Sequence, residues 1–285
     1  MNAAAAIGEL TGREVVEVRR LAGGDTASAF AARLSDGTEV FAKTSPAMPG
    51  AVEAEAAGLR WLAEPGVVPV PEVRGSNADW LVIEHVPESA PTRRAAEQLG
   101  AGLARLHAAG APAFGSAPPG GPADAWIGLA PMRNEPTDDW PTFYARHRVE
   151  PYVRSARDSG ALDDSTARLV DQVCAELDRL VPDEPPARLH GDLWSGNVHW
   201  SDDGAWLIDP AAHGGHRETD LAMLHLFGCP QLDRVIAAYE EVTPLAAGWR
   251  ERIGLHQLFP LLVHTVLFGG GYARQVAQAA RNALR

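Results

Sequence analysis

Residues 188–200 read RLHGDLWSGNVHW, and after a short turn residues 205–211 read AWLIDPA. His190, Asp192 and Asn197 stand at the spacing H-x-D-x-x-x-x-N. In that pattern the aspartate takes the proton of an acceptor hydroxyl and the asparagine holds Mg²⁺ during phosphoryl transfer. Twelve residues after Asn197, the strand-like WLID delivers Asp209 into a turn at Pro210, where a carboxylate is placed to bind the same ion. Aspartate and asparagine also cap turns and populate loops without any chemistry. That reading leaves unexplained why two short β-type segments around a glycine-bearing loop bring all three residues to one mouth.

The upstream part of the chain tests this independently. VVEVRRL (15–21), AGGDTAS (22–28), AFAARL (29–34) and TEVFAKT (38–44) read as strand, glycine turn, strand and strand, with Asp36-Gly37 as a hairpin signal. A helical pattern with Val52, Leu59 and Leu62 near one face runs to the stop at Pro65-Gly66, and strands follow at 72–74 and 80–84. Three strands, a helix and two strands make a small antiparallel sheet with a packed helix. A glycine turn followed by a lysine at the end of the third strand is a phosphate-binding layout, which assigns Gly23, Gly24, Thr26 and Ser28 to the nucleotide. GGDTAS is not G-x-G-x-x-G, and alone it signals only a hairpin. Lys43 is more selective, because it is the sole lysine among 25 basic residues. A compact ammonium suits α/β-phosphate oxygens where arginine's planar fork fits differently. Its carboxylate partner is expected on the following helix, Glu55 or else Glu53. The adenine edge is expected at the backbone of Glu84, His85 and Val86.

After Pro87 the chain turns helical, first over 92–108 with Leu99, Leu103 and Leu106 in phase, then a Gly/Pro-rich loop at 109–123. Further helical stretches fall at 139–158, 163–180, 218–227, 231–241 and from 250 to the C-terminus. The fold expected is α+β and two-lobed, of the protein-kinase-like class. Residues 1–86 form a nucleotide-binding lobe and residues 87–285 a larger helical lobe with the catalytic loop and substrate site.

Composition sets the outer bounds. With 46% apolar and 22% charged residues the chain is ordinary globular protein. A formal charge of −12 repels phosphodiester backbones and anionic membranes, so neither nucleic acid nor membrane is an expected partner. The N-terminus MNAAAAIGEL has no cationic stretch followed by a long apolar run, and the expected location is the cytoplasm. Cys174 and Cys229 show no C-x-x-C spacing and read as packed thiols. His213 and His216 lack the further ligands that would complete a zinc site. Asp220, at a helix start, reads as a brace for the catalytic loop through backbone N–H groups. Trp194 reads either as core or as a wall that stacks on a sugar-like substrate.

LHGDLWSGNV, the strand ending IDPA, the segment GHRETDLAM and the late LFGGGY together resemble the fructosamine kinase (ketosamine-3-kinase) family, itself similar in fold to aminoglycoside and choline kinases. The resemblance runs from about Gly23 to Tyr272. It implies ATP- and Mg²⁺-dependent phosphorylation of the sugar O3 of a small ketosamine or glycated lysine, after which the adduct becomes labile and the amine is released. It carries Lys43 and Glu55 to the nucleotide phosphates, Asp192 to the base, and Asn197 and Asp209 to the metal. The polyhydroxy substrate is expected against Trp194, His216, Arg217 and Glu218. Family members with a cysteine in the glycine-rich strand link dimers through it. This chain has Thr26 and Ser28 there, so monomer and homodimer both stay open. A kinase for another small alcohol, such as an aminoglycoside, choline or homoserine, is the alternative enzyme. A pseudokinase is the non-enzymatic one, and the joint presence of Lys43, Asp192, Asn197 and Asp209 argues against it.

Overall fold

The computed structural model describes residues 2–21 and 28–285; Gly23, Gly24 and Thr26 lie outside the described residues. Helix α1 (Ala3–Thr11) opens the chain. The Asn2 side chain accepts the Ala5 N–H at 2.8 Å, and Gly12 closes the helix at φ +65°. The strands β1 (Val15–Arg20), β2 (Ser28–Leu34), β3 (Glu39–Thr44), β4 (Val73–Ser76) and β5 (Trp80–Glu84) form an antiparallel sheet in the order β1-β2-β3-β5-β4. Alternation along the strands decides what each face touches. Val40, Ala42, Trp80 and Val82 pack on Ala6 and Ile7 of α1. Phe41, Leu81 and Ile83 face the other way, onto Val52, Ala56 and Leu59 of α2 (Ala51–Ala63). Lys43 has the parity of Phe41, so its side chain leaves the sheet towards α2.

The rest is mainly helical: α3 (Arg93–Ala108), α4 (Trp140–Phe143), α5 (Glu150–Asp158), α6 (Asp164–Ala175), α7 (Leu177–Leu180), α8 (Glu218–Phe227), α9 (Leu232–Val242), α10 (Trp249–Phe268) and α11 (Gly271–Ala283). Helix α3 starts at Thr92, whose hydroxyl accepts the Ala95 N–H. It crosses α9 so closely that a Cβ on Gly100 would stand 2.0 Å from the Val235 carbonyl oxygen. Three antiparallel strand pairs interrupt the helices: β6 (Asp124–Ile127) with β7 (Ala130–Arg133), β8 (Ala187–Leu189) with β11 (His213–Gly215), and β9 (Val198–Ser201) with β10 (Gly204–Leu207). The last two pairs hold the ends of the catalytic segment. No helix among the described residues is long and apolar enough to cross a membrane.

Several elements depart from the expected layout. Helix α1 was not foreseen. The β6–β7 hairpin fills the stretch between the Gly/Pro-rich loop at 109–123 and the helical pattern from 139, to which the sequence assigns no element. The C-terminal helix is two helices, broken at Gly269 and Gly270, both at positive φ. Between α4 and α5, Tyr144–Val149 is a π-helical turn, so the expected helix over 139–158 is continuous but locally widened.

Candidate active site

The site starts from the lone lysine. Lys43 Nζ lies 2.5 Å from Glu55 Oε2 and 3.0 Å from Asp209 Oδ1, joining β3, α2 and the segment after β10. Of the two candidate partners on α2 it is therefore Glu55 that meets the ammonium; Glu53 stays exposed. Burial alone would lower the lysine's pKa, but the Glu55 and Asp209 carboxylates outweigh it, and the pKa is raised. The ammonium stays charged. Burial pushes the Glu55 carboxyl up to about 7 against the pull of Lys43. Its Oε1 is buried without a hydrogen-bond partner. Asp209 has a carboxylate half exposed in the cleft. Burial works to raise its pKa, yet Lys43 prevails and holds it low. The backbone at Asp209 is left-handed, φ +52°, a conformation uncommon outside glycine that persists where surrounding structure imposes it.

The catalytic loop is held from within. Asp220, wholly buried, accepts the His190 N–H at 2.8 Å and the Gly191 N–H at 3.0 Å, with His107 Nε2 3.2 Å away. The expected brace is in place. His190 Nε2 donates to the Ile208 carbonyl at 2.9 Å, leaving Nδ1 to accept the Asp192 N–H. Gly191 sits at φ +81°, and a Cβ there would come 2.1 Å from the Ala211 carbonyl oxygen; only glycine permits that approach. Asn197 Nδ2 donates to the Asp192 carbonyl at 2.9 Å and to Asp192 Oδ2 at 3.0 Å. Asn197 Oδ1 takes no part in these bonds, and Lys43 engages one oxygen of Asp209 only. An amide oxygen and a half-exposed carboxylate are hard oxygen donors of the kind Mg²⁺ takes, so the residues present fit such an ion. Burial pushes the Asp192 carboxyl up to about 7, against the Asn197 hydrogen bond. That value suits a group that must gain a proton during turnover.

Two cavities meet at Asp192. The first holds Lys43, Glu55, Asn197 and Asp209 and is roofed by Trp126 of the β6–β7 hairpin. The Trp126 indole N–H donates to the Pro49 carbonyl, tying the hairpin to the entrance of α2. Asn134, just after the hairpin, also lines this cavity. Its Oδ1 accepts from the buried Arg148 at 2.6 Å, and its Nδ2 has no partner. Neither Trp126 nor Asn134 was singled out by the sequence; a hairpin insertion carries no motif. The second cavity shares Asp192, Trp194, Ile127 and Gly128 with the first and continues away from Lys43. Trp194 is 39% exposed, so its indole is a wall of both cavities rather than core.

Not every expected residue reaches the cleft. His216 and Glu218 are buried, 1% and 2% exposed, and Arg217 points elsewhere. Arg252 clasps Glu218 through Nε at 2.9 Å and a terminal nitrogen at 2.5 Å. Burial works to raise the Glu218 pKa, but the His256 ring 3.4 Å away and the hydrogen bonds from Arg252 bring it down to about 2. Arg217 is paired with Glu184 at 2.6 and 2.7 Å. The rings of His216 and His256 pack against Trp140, and burial holds the His216 pKa well below its ordinary value. The expectation that these three residues meet the sugar is corrected: they form an internal network beneath α8. His216, Glu218 and His256 bring ligand atoms within 4.8 Å of one another, but Arg252 already neutralises the only carboxylate of the set. Ser28 begins β2 opposite Thr44, with its hydroxyl bonded by Arg20. Glu84, His85 and Val86 lead out of β5 and line neither cavity. The Val86 carbonyl is taken by His199 Nε2 at 2.9 Å.

An antiparallel sheet with one packed helix, set against a helical body with a lysine–carboxylate pair and an H-x-D-x-x-x-x-N loop between them, is the arrangement of the protein-kinase-like phosphotransferases. The choline kinase LicA from Streptococcus pneumoniae superposes with a TM-score of 0.61 over 98% of this chain and 96% of its own, at 18% identity. The fold is therefore protein-kinase-like. The whole chain, residues 1–285, matches the profile of the fructosamine kinase family, and it belongs to that family. "Probable ketoamine kinase YniA" of Escherichia coli (strain K12) is 34% identical over 273 residues, covering 93% of this chain and 92% of that one. The protein's kinship with the ketoamine kinases makes it an ATP-dependent phosphotransferase. The crystal structure named "putative fructosamine-3-kinase" from Thermobifida fusca YX-ER1 superposes with a TM-score of 0.95 at 52% identity, over 100% of this chain and 99% of that one.

Proposed function

We propose that this phosphotransferase moves the γ-phosphate of ATP to the sugar O3 of a small ketosamine, including glycated lysine. The observation that carries the reading is the position of Asp192 at the border of two cavities. One contains Lys43, Glu55, Asn197 and Asp209 for a nucleotide triphosphate. The other is bounded by the Trp194 indole and has room for an acceptor.

In this reading residues 1–86 carry the nucleotide and residues 87–285 the acceptor. Lys43, oriented by Glu55, binds α/β-phosphate oxygens. Asn197 and Asp209 hold Mg²⁺, which supplies positive charge against the transferring phosphoryl group. Asp192 orients the O3 hydroxyl and takes its proton as the O3–Pγ bond forms and the bond from Pγ to the β,γ-bridging oxygen breaks, releasing ADP. Trp194 presents its face to the sugar. Preorganised charge and alignment contribute most in such reactions, and the base contributes about 10²–10⁴-fold.

The test is ATP turnover with fructosyl-lysine and ribulosyl-lysine beside kanamycin and choline, with phosphorus NMR locating the phosphate on O3. Turnover confined to kanamycin or choline, or phosphate at another hydroxyl, overturns the assignment.

A further inference from the structure

The second cavity, about 350 Å³, runs from Asp192 and Trp194 to Phe227 at the end of α8, Val263, His264, Leu267 and Phe268 on α10 and Tyr272 at the start of α11. Its lining is aromatic. Trp194 meets Phe227 edge-on at 6.0 Å. The His264 ring lies 4.9 Å from Phe227, 4.9 Å from Tyr272 and 5.5 Å from Phe268. His264 adds no charge, because burial lowers its pKa below the ordinary value and its Nδ1–H donates to the Pro260 carbonyl at 2.7 Å. Among the described residues no arginine or lysine lines this space; its one formal charge is the Asp192 carboxylate. Phe268, 64% exposed, and Trp194 form an open rim.

This lining discriminates by charge. π-faces attract an ammonium, and an apolar wall accepts alkyl or aryl groups. A carboxylate entering here gives up its hydration with no cation to replace it. In a ketosamine the nitrogen on C1 lies within about 5 Å of O3 by ordinary bond lengths. With O3 at Asp192, the nitrogen therefore stands at the mouth of this cavity and its substituent points in.

We infer that the aromatic cavity is a subsite for the amine-derived half of the acceptor, selecting ketosamines whose nitrogen carries an alkyl or aryl chain over those made from α-amino acids, whose carboxylate sits one carbon from the nitrogen. The inference rests on the ketosamine reading above. Within it, the side chain of a lysine modified at Nε fits, with four methylenes in the cavity and the polar backbone end at the open rim.

The experiment measures kcat/KM for 1-deoxy-1-butylamino-fructose, 1-deoxy-1-benzylamino-fructose and Nα-fructosyl-alanine with the intact enzyme. The first two are expected to exceed the third by about tenfold or more. Phe268→Arg, which places a cation on the exposed rim, is expected to narrow or invert that ratio by raising kcat/KM for Nα-fructosyl-alanine. Equal kcat/KM across the panel, or a Phe268→Arg effect of the same factor on every acceptor, overturns the subsite while leaving the ketosamine assignment standing. Turnover of no ketosamine at all overturns both.

Discussion

The ammonium of Lys43 lies 3.0 Å from Oδ1 of Asp209, a residue 166 positions further along the chain, while Glu55 holds its other side. One cation thus ties the sheet to the segment assigned to the metal. Lys43→Met leaves Glu55 buried without its partner, and breaking a buried pair costs about 3–5 kcal/mol. Because Glu55 can take up a proton, the loss is expected near the lower figure, with phosphorylation reduced at least ~100-fold. The double variant Lys43→Met/Glu55→Gln removes the stranded carboxylate and should regain part of the stability but none of the activity. Urea unfolding beside steady-state kinetics measures both. A double variant no more stable than the single one would mean that the pair is not coupled as described.

The raised pKa of Asp192, about 7, sets a pH dependence with a definite sign. The base acts as carboxylate, so kcat/KM for ATP should fall tenfold per unit below about pH 7 and level off above it. Divalent metal beside Asn197 favours the carboxylate, so kcat/KM for the acceptor at saturating ATP should keep its plateau to lower pH. Stability runs the opposite way. Between the ordinary aspartate value and about 7 the folded state holds the proton that the unfolded chain has lost, so stability falls as pH rises through this window. Asp192→Asn, neutral throughout, should therefore gain steadily on the parent in thermal unfolding from about pH 4 to about pH 7 and keep a constant lead above that.

Asp209 combines the carboxylate proposed to bind the metal with left-handed backbone, φ +52°. Asparagine tolerates that backbone and alanine does not, so two substitutions separate charge from strain. Asp209→Asn should require much more Mg²⁺ for half-maximal rate than the parent, and should be impaired more than Asn197→Ala, which removes a neutral ligand. Asp209→Ala should lose the same activity and in addition be about 1 kcal/mol less stable than Asp209→Asn. Full activity of both Asp209→Asn and Asn197→Ala at excess Mg²⁺ contradicts the metal assignment.

Gly196 lies under the Trp194 ring, and a Cβ there would stand 2.3 Å from the indole. Gly196→Ala must therefore shift the ring, which is exposed and free to move without unfolding the protein. KM for the ketosamine should rise several-fold, with a much smaller change in KM for ATP. Trp194→Ala should act in the same direction and more strongly. A Gly196→Ala enzyme with unchanged acceptor kinetics would remove the indole from the substrate site.

The parts legible in the sequence share a local physical signal. Strand alternation predicts both the sheet and the direction of Lys43. The helical phase of Val52, Leu59 and Leu62 marks the buried face of α2, while the choice between Glu55 and Glu53 on that helix is settled only in the fold, where Glu55 is buried and meets Lys43. Loop spacing brings Asp192 and Asn197 together. What was illegible depends on inside and outside at sites where sequence is ambiguous. GHRE is a selective motif, but His216 and Glu218 point inward from the start of α8, so its selectivity reflects a buried ion-pair network rather than contact with substrate. The β6–β7 hairpin contains Pro131, which counts against a strand except where, as here, only one neighbour is paired. The alanine-rich opening of α1 carries little periodic pattern to announce a helix that packs on the sheet. The aromatic cavity assembles Trp194 with residues 227–272, a meeting that no local spacing encodes.

Helix α2 has a second seat besides the sheet. At Gly58 it lies against the segment that follows Asp209, where a Cβ would already be 3.2 Å from Pro210 and from Ala212. The helix carrying Glu55 and the turn carrying Asp209 are thus in direct van der Waals contact, with no side chain at Gly58 to act as a spacer. In protein kinases the corresponding helix is a lever, swung in or out to license the reaction. Here the lever is wedged in its working position. Swinging it outward would give up this contact together with the Lys43–Glu55 pair, so the helix is anchored at once by the sheet and by the turn that carries Asp209.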